Sequence, residues 1–175
     1  MTRIDKYYSN IIRTDLLLKN KYKNIMMIPE INKVIMDIRT KENEYSALFA
    51  LEQITGQKGI LIEAKRSIAS FHLKKGTYIA CKVTLHGENM FFFLDKLVRI
   101  VFPRIREYRG VGDKNINNIG NITIAIKDIS VFPEIEYQSN NIKKNYGINI
   151  NILVSNPSKI AIQQLLSSLQ IPIKQ

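Results

Sequence analysis

A chain of 175 residues with 45% apolar and 23% charged side chains has enough apolar material for one globular domain with a core, which excludes a disordered polymer. Lysine and arginine outnumber aspartate and glutamate by 26 to 15, a formal charge of +11, so polyanions are the expected partners: nucleic acid first, an anionic membrane surface second. No run approaches the roughly 20 apolar residues of a membrane span, and the one cysteine, Cys81, has no second thiol for a disulfide or a metal site, which fits a reducing compartment.

The first 23 residues are basic but contain Asp5 and Asp15 and little serine, so they read as mature structure and not as an organellar presequence. About one residue in six is isoleucine, and asparagine and lysine are abundant. Their codons are AT-rich, which points to an organellar or AT-rich genome.

Ile4, Tyr7, Tyr8, Ile11, Ile12 and Leu16 fall near helical spacing, predicting an amphipathic helix over residues 4 to 18 with its apolar face in the core. The cluster Lys19 to Lys23 that follows is either a solvated turn or a phosphate contact. Lys33 to Arg39 alternates as a strand in which Asp37 and Arg39 point together. Glu42 to Thr55 reads as a helix with Tyr45, Leu48, Phe49 and Glu52 on one stripe and Leu51, Ile54 and Thr55 beside it, stopped at Gly56.

From Gly56 to Met90 six cations (Lys58, Lys65, Arg66, Lys74, Lys75, Lys82) face two acids (Glu63, Glu88), interleaved with apolar residues at strand spacing. Ile60 to Glu63 is a short strand, and Lys74-Lys75-Gly76 forms an exposed loop with two cations at its tip. Ile79 to His86 is a strand with Ile79, Cys81, Val83 and Leu85 on its core face and Lys82, Thr84 and His86 on the other.

A helix follows from Glu88, with Phe91 to Phe93 in the core, and ends at Pro103. Arg104, Arg106 and Arg109 make a basic turn near Glu107, and Gly110 to Asn121 is a long loop suited to a partner contact. Ile122 to Asp128 and Ile148 to Ile152 are half-buried strands separated by a turn at Phe132 to Glu134 and a polar loop through Lys144. Ser155 or Asn156 caps a last helix with Pro157 at its start and Ala161, Leu165, Leu166 and Leu169 on its apolar face. The order lacks regular βαβ alternation and predicts an α+β fold, an antiparallel sheet with helices packed on it, in a single domain spanning 1 to 175.

No glycine-rich phosphate cradle, no HExxH and no Cys/His spacing for a metal occurs, so no cofactor and no metal is expected. His72 and His86 lack an evident nucleophile, and Cys81 falls on a core face where it is inert. Glu134 and Glu136 lie two apart, on one side of a strand, which reads as a solvated edge and not a catalytic pair. There are thus no catalytic residues to nominate. A basic polar face remains, and RNA is favoured over DNA because no base-reading recognition helix is evident.

Read in order, Asp5-Lys6-Tyr7-Tyr8, Gly56-Gln57-Lys58, Ala64-Lys65-Arg66-Ser67, Cys81-Lys82-Val83-Thr84-Leu85, Pro103-Arg104-Ile105-Arg106, Gly120-Asn121 and Phe132-Pro133-Glu134-Ile135 resemble the ribosomal protein L-five family almost end to end. The resemblance implies a structural protein of the large ribosomal subunit that holds 5S rRNA against large-subunit rRNA in the central protuberance, beside other proteins of that region and with no membrane partner. It assigns 5S rRNA contact to Gln57 and Thr84 and to a third position, usually Asn, that is Asp37 here. Lys58, Lys65, Arg66, Ser67, Lys82 and His86 complete that platform.

The loop Phe71 to Ala80, with Lys74, Lys75, Gly76, Thr77 and Tyr78, matches the family's contact with the elbow of the peptidyl-site tRNA. Gly110 to Asn121 matches its bridge to small-subunit ribosomal protein S-thirteen. Three departures stand out: Asp37, Tyr78 where the family commonly has Pro, and Ala80 where it has Gly. The implied location is the ribosome of the mitochondrial matrix, or alternatively of the bacterial cytoplasm. The competing reading is a free-standing RNA-binding or RNA-chaperone module outside the ribosome.

Overall fold

Alternating β-branched residues build five strands, and the computed structural model describes them within residues 3–20, 22–40, 43–106, 108–117, 120–137, 146–155 and 158–174. The strands are β1 (Ile31–Arg39), β2 (Ile60–Glu63), β3 (Tyr78–Leu85), β4 (Asn121–Ile126) and β5 (Ile148–Val154), ordered β2-β3-β1-β5-β4 in one antiparallel sheet. In the β2–β3 hairpin Ile60 pairs with Lys82 and Ile62 with Ala80, with a register shift after Ile62. The expected α+β architecture is the observed one.

Alternation assigns the two faces of this sheet. Val34, Met36, Ile38, Cys81, Val83, Leu85, Ile122, Ile124, Ile148, Ile150 and Ile152 are buried. Lys33, Asp37, Lys82, Thr84, Thr123, Asn149 and Asn151, one step out of phase, are half-buried. An antiparallel sheet with one packed and one polar face has this pattern.

Backbone contacts group the chain into two compact units, one of Met1–Val34, Leu85–Ile124 and Asn151–Gln175, the other of Ile35–Thr84 and Ala125–Ile150. In the first, α1 (Arg3–Tyr7), a π-helical turn (Tyr8–Ile12) and α2 (Arg13–Lys19) follow without a break. Tyr8, Ile12 and Leu16, spaced by four, are its buried face, and Tyr8 packs on Phe91 at 5.3 Å between ring centroids. Tyr7 and Ile11, expected with them, are exposed.

In the second unit α3 (Glu44–Thr55) buries Ala47, Ala50, Leu51 and Ile54, leaving Tyr45 and Phe49 exposed. Of the two stripes read from the sequence, the one through Leu51 and Ile54 faces the core. Gly56 ends the helix, the stop the sequence anticipated, and does so in the left-handed region at φ +65.

Other expectations change. The helix begun by α4 (Gly87–Lys96) runs on through a π-helical turn (Leu97–Val101) into α5 (Phe102–Arg104) and stops one residue past Pro103, which can donate no N–H to a further turn. Phe92 is 60% exposed beneath Lys96, whose Nζ lies 5.6 Å from the ring centroid, so only Phe91 and Phe93 are core. Glu134 and Glu136 lie on α6 (Pro133–Glu136), not on a strand, because Pro133 at the first helical positions starts a helical turn; two apart on a helix they diverge.

The segment Gly110 to Asn121 is not a structureless loop. Val111 pairs with Ile173 and Ile116 with Ile122, Val111 and Ile116 are buried, and a 3-10 turn spans Asp113–Asn115. The last helix, α7 (Lys159–Ser168), starts after Ser158, whose side chain makes no capping bond, and so begins later than a cap at Ser155 would place it. Lys21, Glu42, Glu107, Asn156, Pro157 and the polar loop through Lys144 lie outside the described residues.

Candidate nucleic-acid interface

All of the expected RNA contacts except His86 belong to the second unit. Its polar sheet face carries Asp37 on β1 and Lys82 and Thr84 on β3, all half-buried. Lys82 pairs with Ile60 of the edge strand β2, whose side chain is exposed beside it. The face therefore offers a cation, a hydroxyl and an apolar surface within one hairpin, a mixture that suits phosphate, sugar and base together.

Gln57 and Lys58 occupy the short turn between α3 and β2. Thr55 Oγ1 donates to the Leu51 carbonyl at 2.9 Å and accepts from the Gln57 amide at 3.3 Å, and Glu52 Oε1 accepts from the Gly59 amide at 2.8 Å. Clamped at both ends, the turn leaves the half-buried Gln57 side chain with no hydrogen-bond partner among the described residues, and Lys58 is exposed. A held backbone with an uncommitted amide suits a ligand contact.

Between β2 and β3 the chain makes a structured finger over residues 64 to 77. Its base is closed by Ala64 N to Thr77 O (2.8 Å) and Gly76 N to Ala64 O (3.0 Å), its upper part by reciprocal bonds between Ile68 and Leu73 (3.0 and 3.1 Å). Lys75 N donates to Ser67 Oγ at 3.0 Å, so Ser67 ties the two sides together. The tip is Ala69 to His72, with Phe71 58% exposed and His72 at φ +51; the expected tip, Lys74-Lys75-Gly76, is a second turn lower down, closed by Thr77 Oγ1 to Lys74 O at 2.8 Å. Lys65, Arg66, Lys74 and Lys75 are all exposed along this finger.

Two of the sequence-derived residues sit elsewhere than expected. Tyr78 is not in the loop: it opens β3, half-buried, edge-on to Tyr45 at 6.4 Å, because strand pairing with Glu63 captures it. His86 lies one residue beyond β3 as the exposed residue before α4, in the first unit. Cys81 is fully buried, its Sγ 3.7 Å from the Ile38 carbonyl, and burial pushes its thiol up to about 11, which agrees with the inert reading.

Sequence reasoning paired Asp37 with Arg39 but left Arg39 and Asn149 out of the site. Arg39 Nε stands 3.6 Å from Asp37 Oδ2, and Asn149 Nδ2 donates to that same oxygen at 3.0 Å. The alternation around Asn149 was legible, but its strand neighbour, 112 residues away, was not. In the first unit Lys19 pairs with Asp15 at 2.6 Å while Lys23, Arg106 and Arg109 are exposed, a solvated reading for part of the early basic cluster. Among the described residues no group of three or more His, Cys, Asp or Glu side chains is placed to hold a metal ion, and no helix is long and apolar enough to cross a membrane.

A basic α+β protein with a polar sheet face and a cationic finger in one unit has the geometry of a surface suited to a polyanion. Comparison with known proteins narrows this. Residues 78–173 match the family model that describes the C-terminus of the ribosomal L-five proteins. Over 99% of its length the chain is 42% identical to large ribosomal subunit protein uL5m of Reclinomonas americana, covering 98% of that protein. It is 37% identical to uL5 of Nitrosomonas eutropha, covering 99% of each chain, and 37% identical to uL5 of Moorella thermoacetica, covering 100% of this chain and 99% of that one. The chain belongs to the ribosomal L-five family, so it is a structural ribosomal protein and not an enzyme. Its relatives are large-subunit proteins of both mitochondria and bacteria.

Proposed function

We propose that the chain acts as one domain in the large ribosomal subunit and binds 5S rRNA through the polar sheet face and the clamped turn of its second unit. The observation that carries this is the half-buried polar row of Lys82 and Thr84 on the face of β3 opposite its buried residues, with Gln57 and Lys58 in the held turn that leads into its partner strand β2. Gln57 and Thr84 supply hydrogen bonds to sugar or base, and Lys58, Lys65, Arg66 and Lys82 neutralise phosphates. The finger, with Lys74, Lys75, Gly76 and Thr77 on its side, reaches the elbow of the peptidyl-site tRNA. Residues 110 to 121 face ribosomal protein S-thirteen of the small subunit, and large-subunit rRNA and neighbouring central-protuberance proteins complete the surroundings. Of the two compartments, the mitochondrial matrix fits the isoleucine- and asparagine-rich composition better.

Binding of the full chain to 5S rRNA, measured at several salt concentrations, tests this. Affinity falls by roughly a thousandfold between about 50 and 200 mM salt if about six phosphates are contacted. Gln57→Ala weakens binding by about tenfold, and Arg66→Ala weakens it while lowering the salt slope by about one. Lys74→Ala with Lys75→Ala leaves 5S rRNA binding intact and weakens crosslinking to tRNA in assembled ribosomes. Equal loss of 5S rRNA binding in all three variants contradicts the division of labour. Recovery of the protein only in ribosome-free fractions on sedimentation favours the free-standing RNA module instead.

A further inference from the structure

Asp37 stands on the RNA-facing side of β1, where a carboxylate is the wrong group for a phosphate ligand: it accepts but cannot donate, and its charge repels. The structure does not leave it bare. Asn149 Nδ2 donates to Oδ2 at 3.0 Å from the neighbouring strand β5, and Arg39 Nε stands 3.6 Å from the same oxygen. The Asp37 side chain is 17% exposed, that of Arg39 81%. The carboxylate is thus tucked beneath its partners while the guanidinium projects from the sheet.

A primary amide has two N–H donors and one carbonyl acceptor. Fixing one Asn149 N–H on Asp37 sets the plane of that amide and leaves its carbonyl and second N–H for another group. Arg39, held near Asp37 by a loose ion pair through Nε, keeps its terminal nitrogens for a phosphate, the fork that makes arginine suited to such contacts. Resting on the RNA-binding reading above, we infer that Asp37 is a positioning residue which orients Asn149 and Arg39, and that these two side chains make the RNA contacts at this point of the sheet. Asn149 reads a ribose hydroxyl or base edge, and Arg39 holds a phosphate.

A double-mutant cycle on 5S rRNA binding by the full chain, with nucleotide-resolved footprinting, decides it. Asp37→Ala and Asn149→Ala each weaken binding by about tenfold, the worth of one well-made hydrogen bond, and the double variant is no weaker than the worse single one. Both singles lose protection at the same few nucleotides and keep the rest of the footprint. Asp37→Asn, which retains an acceptor oxygen for Asn149, restores affinity to within about threefold of the unaltered chain. Arg39→Ala lowers the salt slope by about one, and Asp37→Ala does not.

Tighter binding by Asp37→Ala would show a repelling carboxylate and overturn the inference. Losses that multiply in the double variant would make Asp37 a direct ligand and overturn it too. Protection lost evenly over the whole footprint would reduce Asp37 to a structural part of the fold. Absence of binding by the unaltered chain sinks the RNA reading itself, and this inference with it.

Discussion

Gly110 holds a conformation and a space that no other residue fits. Its φ is +85, and an added Cβ would stand 2.7 Å from the Pro172 carbonyl oxygen and 2.9 Å from its carbon, backbone atoms that cannot rotate away. The close approach lets Val111 N donate to Pro172 O at 2.8 Å and Lys174 N to Val111 O at 3.0 Å, tying the C-terminal segment to residues that the sequence suggested were a free loop. Gly110→Ala is expected to cost about 1–3 kcal/mol in urea unfolding, with faster amide exchange at Val111 and Lys174. The glycine itself was visible in the sequence, but its partner, far along the chain, was not. By contrast the helix stop at Gly56 needed only its place after an amphipathic run, and there the sequence sufficed.

Among the elements, the first helical run separates two kinds of apolar residue that look alike in the sequence. Ile12 is 1% exposed and Ile11 52%, although they are adjacent and both β-branched. Ile12→Ala is expected to cost about 2–4 kcal/mol and Ile11→Ala no more than about 0.5, read from denaturant midpoints at constant slope. Periodicity located the helix, yet six apolar positions on a short helix define a face wider than the stripe that is buried. Packing by neighbouring helices, α4 on α1 with Phe91 against Tyr8 and α7 on α2, accompanies the burial of Tyr8, Ile12 and Leu16. The same limit explains Phe92: a run of three phenylalanines cannot all point inward on a helix, and the sequence does not say which one is left out. The finger between β2 and β3 was read from its glycine and cations, but its tip moved to Ala69–His72 because the Ile68–Leu73 pairing closes the chain higher up.

For the molecule as a whole, three weak acids of very different sequence context, Cys81 and Tyr8 buried and Tyr108 half-buried, respond to pH in the same direction. Burial pushes Cys81 up to about 11 and Tyr8 and Tyr108 up to about 12. As pH rises through about 9, the unfolded chain releases the thiol proton while the folded chain keeps it. The unfolded state then binds fewer protons and stability falls, an effect that the two phenols extend toward pH 12. The urea midpoint should drop between about pH 8.5 and 10.5, and Cys81→Ala should flatten the first part of that fall. In the native state at about pH 8 the thiol should resist alkylation.

The sequence by itself determined the charge, the five strands and the longer helices, the α+β class and, through its ordered blocks, the family. Composition, alternation over a few residues and turn chemistry are local quantities, and short windows contain them. The tertiary structure alone decided the order β2-β3-β1-β5-β4, which apolar stripe of each helix faces inward, and the meeting of Asp37 with Asn149. Those depend on which strands and helices packing brings side by side, a choice made between residues distant in the chain and invisible in any local window.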